Sequence, residues 1–269
     1  MDAMNGVSSS AEVYTSIYNL YNNNNIKEDI IAEVKSDDSV EISEEAKVAQ
    51  KMAKAFKRSE DMMRLRNLSS EEIAAFREIL QDYNTSGKTP SEFLKSLDKE
   101  ERDLIKRANS YGHDLTDSEI DSWSVEGSKN MLREQDWRFA IDLNDDGIVD
   151  HGGGKSFVFP PPNSPEEIKD SWEMMSENMT DKEKMFFTIR FAPIKIDGYP
   201  EATTIVGYDL NEQGFPKNID EWLNLLDKVY ETEEYNSKIN SHAPSREISK
   251  RTMELITEFK NIIYEVRNR

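Results

Sequence analysis

Apolar residues recur at intervals of three and four along much of the chain. Ile42, Ala46, Ala49, Ala53 and Phe56 form one such row, and Ile73, Phe76 and Leu80 a second. Ile248, Leu255, Phe259, Ile262 and Val266, flanked by Ile256 and Ile263, form a third. This is the period of an amphipathic helix that needs a surface to bury against. For the last row the expected surface is the protein's own core. A coiled-coil dimer is the alternative, but Thr252 interrupts what would be a short seam.

The helix starts are marked as well. A capping residue is followed three positions later by Glu at Ser69…Glu72, Thr89…Glu92, Asp98…Glu101, Thr116…Glu119, Ser164…Glu167, Thr180…Glu183 and Asn218…Glu221. The first side chain can accept from a free N–H of the first turn, and the Glu can reach back to the cap. Pro90 and Pro165 follow two of these caps, where a missing N–H is harmless. Two stretches break the helical pattern. Residues 152–165 hold Gly152-Gly153-Gly154 and Pro160-Pro161-Pro162, with Phe157, Val158 and Phe159 as a short strand. Residues 193–214 alternate β-branched and turn residues, which predicts a small β-hairpin near 194–208.

Composition modifies this picture at the ends. Apolar residues are 36% of the 269 and charged residues 32%, a low apolar share that predicts partial disorder. The expected location is a flexible tail over residues 1–38, which contains Ser8-Ser9-Ser10 and Asn22-Asn23-Asn24-Asn25. A helical domain over 39–159 and a helical C-terminal region over 160–269 are expected to follow, packed as two domains or as one.

The formal charge is −19. It disfavours a phosphate-tracking nucleic-acid binder and an anionic membrane partner, so the expected partner is a protein whose identity the sequence does not give. No apolar run is long enough to span a bilayer, and the first residues do not form a secretory signal. The absence of cysteine excludes disulfides, thiolate metal sites and cysteine nucleophiles. Residues 238–269 hold seven basic and four acidic side chains, so the body before them is more acidic still. Docking of this basic end on the acidic body is expected, with partner binding as the alternative.

One segment carries candidate chemistry: Asp142-Leu143-Asn144-Asp145-Asp146-Gly147-Ile148-Val149-Asp150. Oxygen side chains stand at its positions 1, 3, 5 and 9 and glycine at 6. Calcium takes several hard oxygen ligands at once, and a chain wrapped around it presents alternate side chains. Asp142, Asn144, Asp146, the backbone carbonyl of Ile148, and Asp150 are the expected metal ligands. Val149 would pack beneath the loop. This segment resembles the calcium loops of EF-hands and of bacterial dockerins. The resemblance implies an entering helix, for which Asn130 to Ala140 is the candidate. It also implies an acid at position 12, where this chain has Gly153. A distant carboxylate or water must then complete the shell, and magnesium would suit the wetter arrangement. A solvated turn without a cation is the plain alternative. A fainter echo, Asp82-Tyr83-Asn84-Thr85-Ser86-Gly87, reads as a helix end before the cap at Thr89.

Catalytic patterns are missing. His113, His151 and His242 share no zinc-binding spacing, and neither a phosphate-binding glycine loop nor a nucleophile elbow is present. His151 reads as a solvated histidine or as a partner behind the loop. Trp123, Trp137, Trp172 and Trp222, and Met174, Met175, Met179 and Met185, read as core, with a ligand platform or a plastic surface as alternatives. The run from Asp37 to Lys47 is similar to a short phrase in flagellar anti-sigma and flagellar-export proteins, which implies export through a flagellar or type III channel without a cleavable signal peptide; a cytoplasmic protein with a loose tail is the alternative. The expectation is therefore a mainly α multi-helix bundle with an EF-hand-like loop that binds calcium, or magnesium, without enzymatic activity. The alternatives are an exported effector or flagellum-associated factor, and a carboxylate hydrolase.

Overall fold

The computed structural model describes residues 44–192 and 214–268. The expected tail, the hairpin near 194–208 and most of the export-like phrase lie outside these residues. Among the described residues are ten α-helices and one two-stranded sheet, so the fold is mainly α. None of these helices is long and apolar enough to cross a membrane. The described residues divide into two compact units, one of residues 44–139 with 151–153 and one of 140–150, 154–192 and 214–268.

The first unit contains α1 (Glu44–Leu65), α2 (Ser70–Ser86), α3 (Pro90–Ser96), α4 (Lys99–Ala108), α5 (Asp117–Asp121) and α6 (Val125–Met131). Ser69, Thr89 and Asp98 each form the full reciprocal cap with the Glu three residues on. Thr116 accepts from the Glu119 N–H at 3.1 Å, but the Glu119 carboxylate accepts from the Tyr111 hydroxyl at 2.6 Å instead of reaching back. α2 ends at Gly87 in the left-handed region (φ 68°), so the fainter acidic echo is a helix-turn-helix. Phe76, Leu80, Leu94, Ile105, Ile120 and Met131 lie in the core of this unit.

The helix expected from Asn130 to Ala140 does not form. α6 starts earlier, at the Ser124 cap, and ends at Met131; a single 3-10 turn covers Trp137–Phe139. Distant partners hold the segment between in another path. The Arg77 Nε donates to Glu134 Oε1 at 2.9 Å, and Arg58 clasps Asp136 through two N–H bonds of 2.7 and 3.1 Å. The Gln135 N–H donates to Ser59 Oγ at 2.7 Å, outside any helical ladder. Four such bonds to α1 and α2 outweigh a weak local helix preference.

The second unit contains residues 148–150 of β1 (Ile148–His151) and all of β2 (Gly154–Phe157), then α7 (Glu166–Ser176), α8 (Asp181–Thr188), α9 (Ile219–Ile239) and α10 (Ala243–Arg267). The C-terminal stripe buries Leu255, Ile256, Phe259 and Ile263. Thr252 belongs to the buried face and does not break it; its hydroxyl donates to the Ile248 carbonyl at 2.9 Å, which satisfies it within the helix. Phe159, from the proline-rich strap, stands in the centre of the core. Its ring lies 4.9 Å from Trp172 and from Phe191, 5.6 Å from Phe187 and 6.4 Å from Phe259. The cap expected at Ser164 fails. Pro165 occupies the cap position of α7, and the buried Ser164 Oγ has no hydrogen-bond partner.

The basic residues of α10 meet acids of this same unit. Lys260 pairs with Asp227, Arg267 with Asp220 at 2.9 Å, and Arg251 with Glu183 at 2.7 Å. Glu183 also receives the Thr180 N–H that closes the α8 capping box. These bonds, the Thr180 backbone first and Arg251 next, hold its carboxyl down to about 2. A folded-state value below the unfolded one stabilises above the unfolded value and is lost as pH falls through the folded one. Acid titration of the full chain should therefore show the second unit weakening as pH drops from about 4.5 towards about 2. Glu183→Gln should flatten that stretch of the profile. An unchanged profile in the variant would assign the acid sensitivity to other groups.

Candidate metal centre

The acidic loop belongs to the second unit and is folded by its own side chains. Asp145 and Gly147 both adopt positive φ, 60° and 77°, which reverses the chain twice within three residues. The reversal directs backbone donors inward. Asp142 Oδ1 accepts from the Asp145 N–H at 2.6 Å and Oδ2 from the Gly147 N–H at 2.8 Å. Asn144 Oδ1 accepts from the Asp146 N–H at 3.2 Å, and Asp146 Oδ1 from the Ile148 N–H at 2.8 Å. The Asn144 amide donates to Asp146 Oδ2 at 3.0 Å. Short Asp and Asn side chains are suited to such local bonds.

Asp142 is the buried member, with 3% of its surface exposed. Burial pushes its carboxyl above the usual range, the Gly147 N–H opposes this, and the neighbouring Asp146 charge adds to the rise. Val149 is buried beneath the loop, as its position implied. Asp150 sits on β1 with an oxygen 3.2 Å from Lys155 Nζ on β2. Asp142, Asn144 and Asp146 are thus gathered within one turn, while Asp150 faces an ammonium group. Gly153, at position 12, brings no side-chain oxygen; its N–H donates to the Tyr111 hydroxyl at 3.2 Å. Among the described residues, no three His, Asp or Glu side chains converge as metal ligands would.

Three residues that sequence reasoning passed over hold the loop in place. The Asn163 amide, in the proline-rich strap, donates to the Asp142 carbonyl at 2.9 Å and to Asp145 Oδ1 at 3.1 Å. Lys217 pairs with the other Asp145 oxygen. Phe215 covers Gly147 so closely that a Cβ there would fall 2.0 Å from its ring. Phe215 in turn stacks on Phe157 and Trp222, at 5.9 and 6.3 Å. Lys217 and Phe215 are far from the loop in sequence and nothing marks them there. An Asn between proline and serine is a common turn residue, so Asn163 carried no signal either. His151, the next residue after Asp150, is half-buried within the first unit, not solvated. Burial and the charge of Arg66 lower its imidazole to about 4.

The chain matches no protein-family model, no curated protein and no solved structure.

Proposed function

We propose that this is a calcium-binding helical protein without enzymatic activity, in which the loop over residues 142–150 holds the ion. Asp142, Asn144, Asp146, the Ile148 carbonyl and Asp150 are the ligands, and magnesium is the competing cation. The observation that carries this reading is Asp142, a carboxylate almost wholly buried beside a second carboxylate. Such a pair is costly when ionised, and a divalent cation between them removes both the repulsion and the desolvation penalty. The loop's reversals at Asp145 and Gly147 support the same reading, because they keep the side chains of positions 1, 3 and 5 on one small arc.

In this reading Asp150 has to leave Lys155 before it can serve the ion, and water takes the place that Gly153 leaves open. The bound ion ties the loop to the strap through Asn163 and to the start of α9 through Lys217 and Phe215. Its effect is stabilisation by mass action: about 2.7 kcal/mol when free calcium is one hundred times the dissociation constant. Calorimetric titration of the full chain with calcium, and separately with magnesium, measures it. Heat of binding and a raised melting temperature are expected, both lost in the Asp142→Ala/Asp146→Ala variant. Lys155→Met should bind calcium more tightly than the parent. Neither heat nor a melting shift in the parent would defeat the proposal.

A further inference from the structure

A groove of about 270 Å³ lies between α2 and α4 in the first unit. Ala75 and Ile79 of α2 and Leu104 of α4 form its apolar floor, and Glu78, Asp82, Glu100 and Glu101 form its rim. Glu101 serves the cap of α4, since its carboxylate accepts from the Asp98 N–H at 2.8 Å. Glu78, Asp82 and Glu100 are exposed and, among the described residues, form no ion pair. Lys99, their neighbour in sequence, lies towards Asp114, whose carboxyl is held down first by Lys106 and less by Lys99. The last turn of α2 carries no basic residue, so the negative end of that helix is not compensated from within it. The start of α2 and the end of α4 show the contrast. There, Arg107 Nη2 lies 2.7 Å from Glu72 Oε1, and one guanidinium joins the two helices.

We infer that this groove docks a basic helical segment of a partner protein, with Lys or Arg stems laid over the apolar floor and their charged heads between the two acidic rims. Charge complementarity and the mixed lining carry the assignment together. Lys and Arg combine an apolar stem with a cationic head, which matches a floor of Ala75, Ile79 and Leu104 under unpaired carboxylates. A single metal ion fits less well, because among the described residues no three carboxylates converge as the ligands of one ion would. The rim calls instead for several cationic groups held apart. A helix with basic residues at intervals of three and four presents them about 5–6 Å apart on one face. Glu78 and Asp82 repeat the interval of four on α2. A second copy of this chain is a poor occupant, since each copy carries a charge of −19 and the two repel. The same sign turns away nucleic acid and anionic bilayers and steers a basic segment inward.

The test is fluorescence anisotropy with the full chain and a labelled synthetic helical peptide whose lysines are spaced alternately by four and three positions. Spermine, as a competitor, is the second arm. Peptide binding is expected, and it should weaken by about tenfold or more in a Glu78→Gln/Asp82→Asn/Glu100→Gln variant. These three side chains are exposed and Glu101 is left in place, so the cap of α4 and the fold are retained; circular dichroism checks this. A Glu231→Gln/Glu247→Gln/Glu258→Gln control removes the same charge from the second unit and should keep the parent affinity. Ala75→Arg, which places a guanidinium in the groove itself, should weaken binding as the triple variant does. The inference is overturned if the parent does not bind the peptide, or if the groove variants bind as well as the parent. It is equally overturned if the control loses as much affinity as the triple variant, or if spermine binds as tightly as the peptide, which would make the site one for a small polyamine.

Discussion

Arg77→Met is expected to destabilise the first unit by about 3–5 kcal/mol at neutral pH, because it leaves a buried carboxylate without its counter-charge. Glu134 is 3% exposed and Arg77 5%. The guanidinium donates to Glu134 Oε1 at 2.9 Å and to the Phe56 carbonyl at 3.2 Å, and it lies 3.7 Å from Glu60. In the variant, Glu134 keeps the Ser59 hydroxyl, which donates to Oε2 at 2.5 Å, but one neutral donor cannot replace a cation. Burial already pushes the Glu134 carboxyl upward, and Arg77 is the first influence that opposes it. Without Arg77 the value rises further. A carboxyl whose folded value exceeds its unfolded one stabilises below the unfolded value, and that contribution is lost as pH rises through the folded one. The deficit of the variant should therefore be largest near neutrality and shrink towards about pH 4. Denaturant unfolding at the two pH values checks both parts. A companion variant, Arg77→Met/Glu134→Met, should recover much of the loss, since apolar replacement of a whole buried pair is often near neutral. A loss under about 1 kcal/mol for Arg77→Met would show that Glu134 finds other compensation.

The same residues explain where the sequence could be read and where it could not. Ser69, Thr89, Asp98 and Thr180 announce their helices because a capping box is complete within four residues, and nothing remote is needed to close it. Ser124 caps α6 equally well at 2.9 Å, yet its third following residue is Gly127, so the pattern gave no sign of it. Ser164 shows the opposite failure: the pattern is present, but the strap that places Phe159 in the core delivers Pro165 to the cap position instead. The missing helix after Asn130 has the same origin, since Arg58, Ser59 and Arg77 lie more than fifty residues away from the residues they hold. The acidic loop was legible for the same reason as the caps. Asp142, Asn144 and Asp146 bond to backbone within five residues, whereas Asn163, Phe215 and Lys217 reach it only through the fold.

Gly147→Ala is expected to cost the second unit about 2–4 kcal/mol, with or without calcium. Two effects add. The backbone at φ 77° disfavours any side chain by about 1 kcal/mol. The new methyl would stand 2.0 Å from Phe215 Cε2, and that ring has little room to retreat between Phe157 and Trp222. Forcing such an overlap costs about 1–3 kcal/mol more. Gly214→Ala separates the two effects, because Gly214 has a similar φ of 68° and open space where its Cβ would be. It should cost only the backbone part. Chemical denaturation of both variants, followed by tryptophan fluorescence, measures the difference. The Gly147 substitution should also loosen the Asp142 carboxylate, since a displaced Gly147 N–H no longer donates to Oδ2. Asp142 would then lose both its donor and the geometry that gathers it with Asn144 and Asp146. On the proposed calcium-binding reading, affinity for the ion should fall in step with stability in Gly147→Ala and stay unchanged in Gly214→Ala. Equal stability losses in the two variants would mean that Phe215 does not pack on the loop, and the link from the loop to the start of α9 would fail with it.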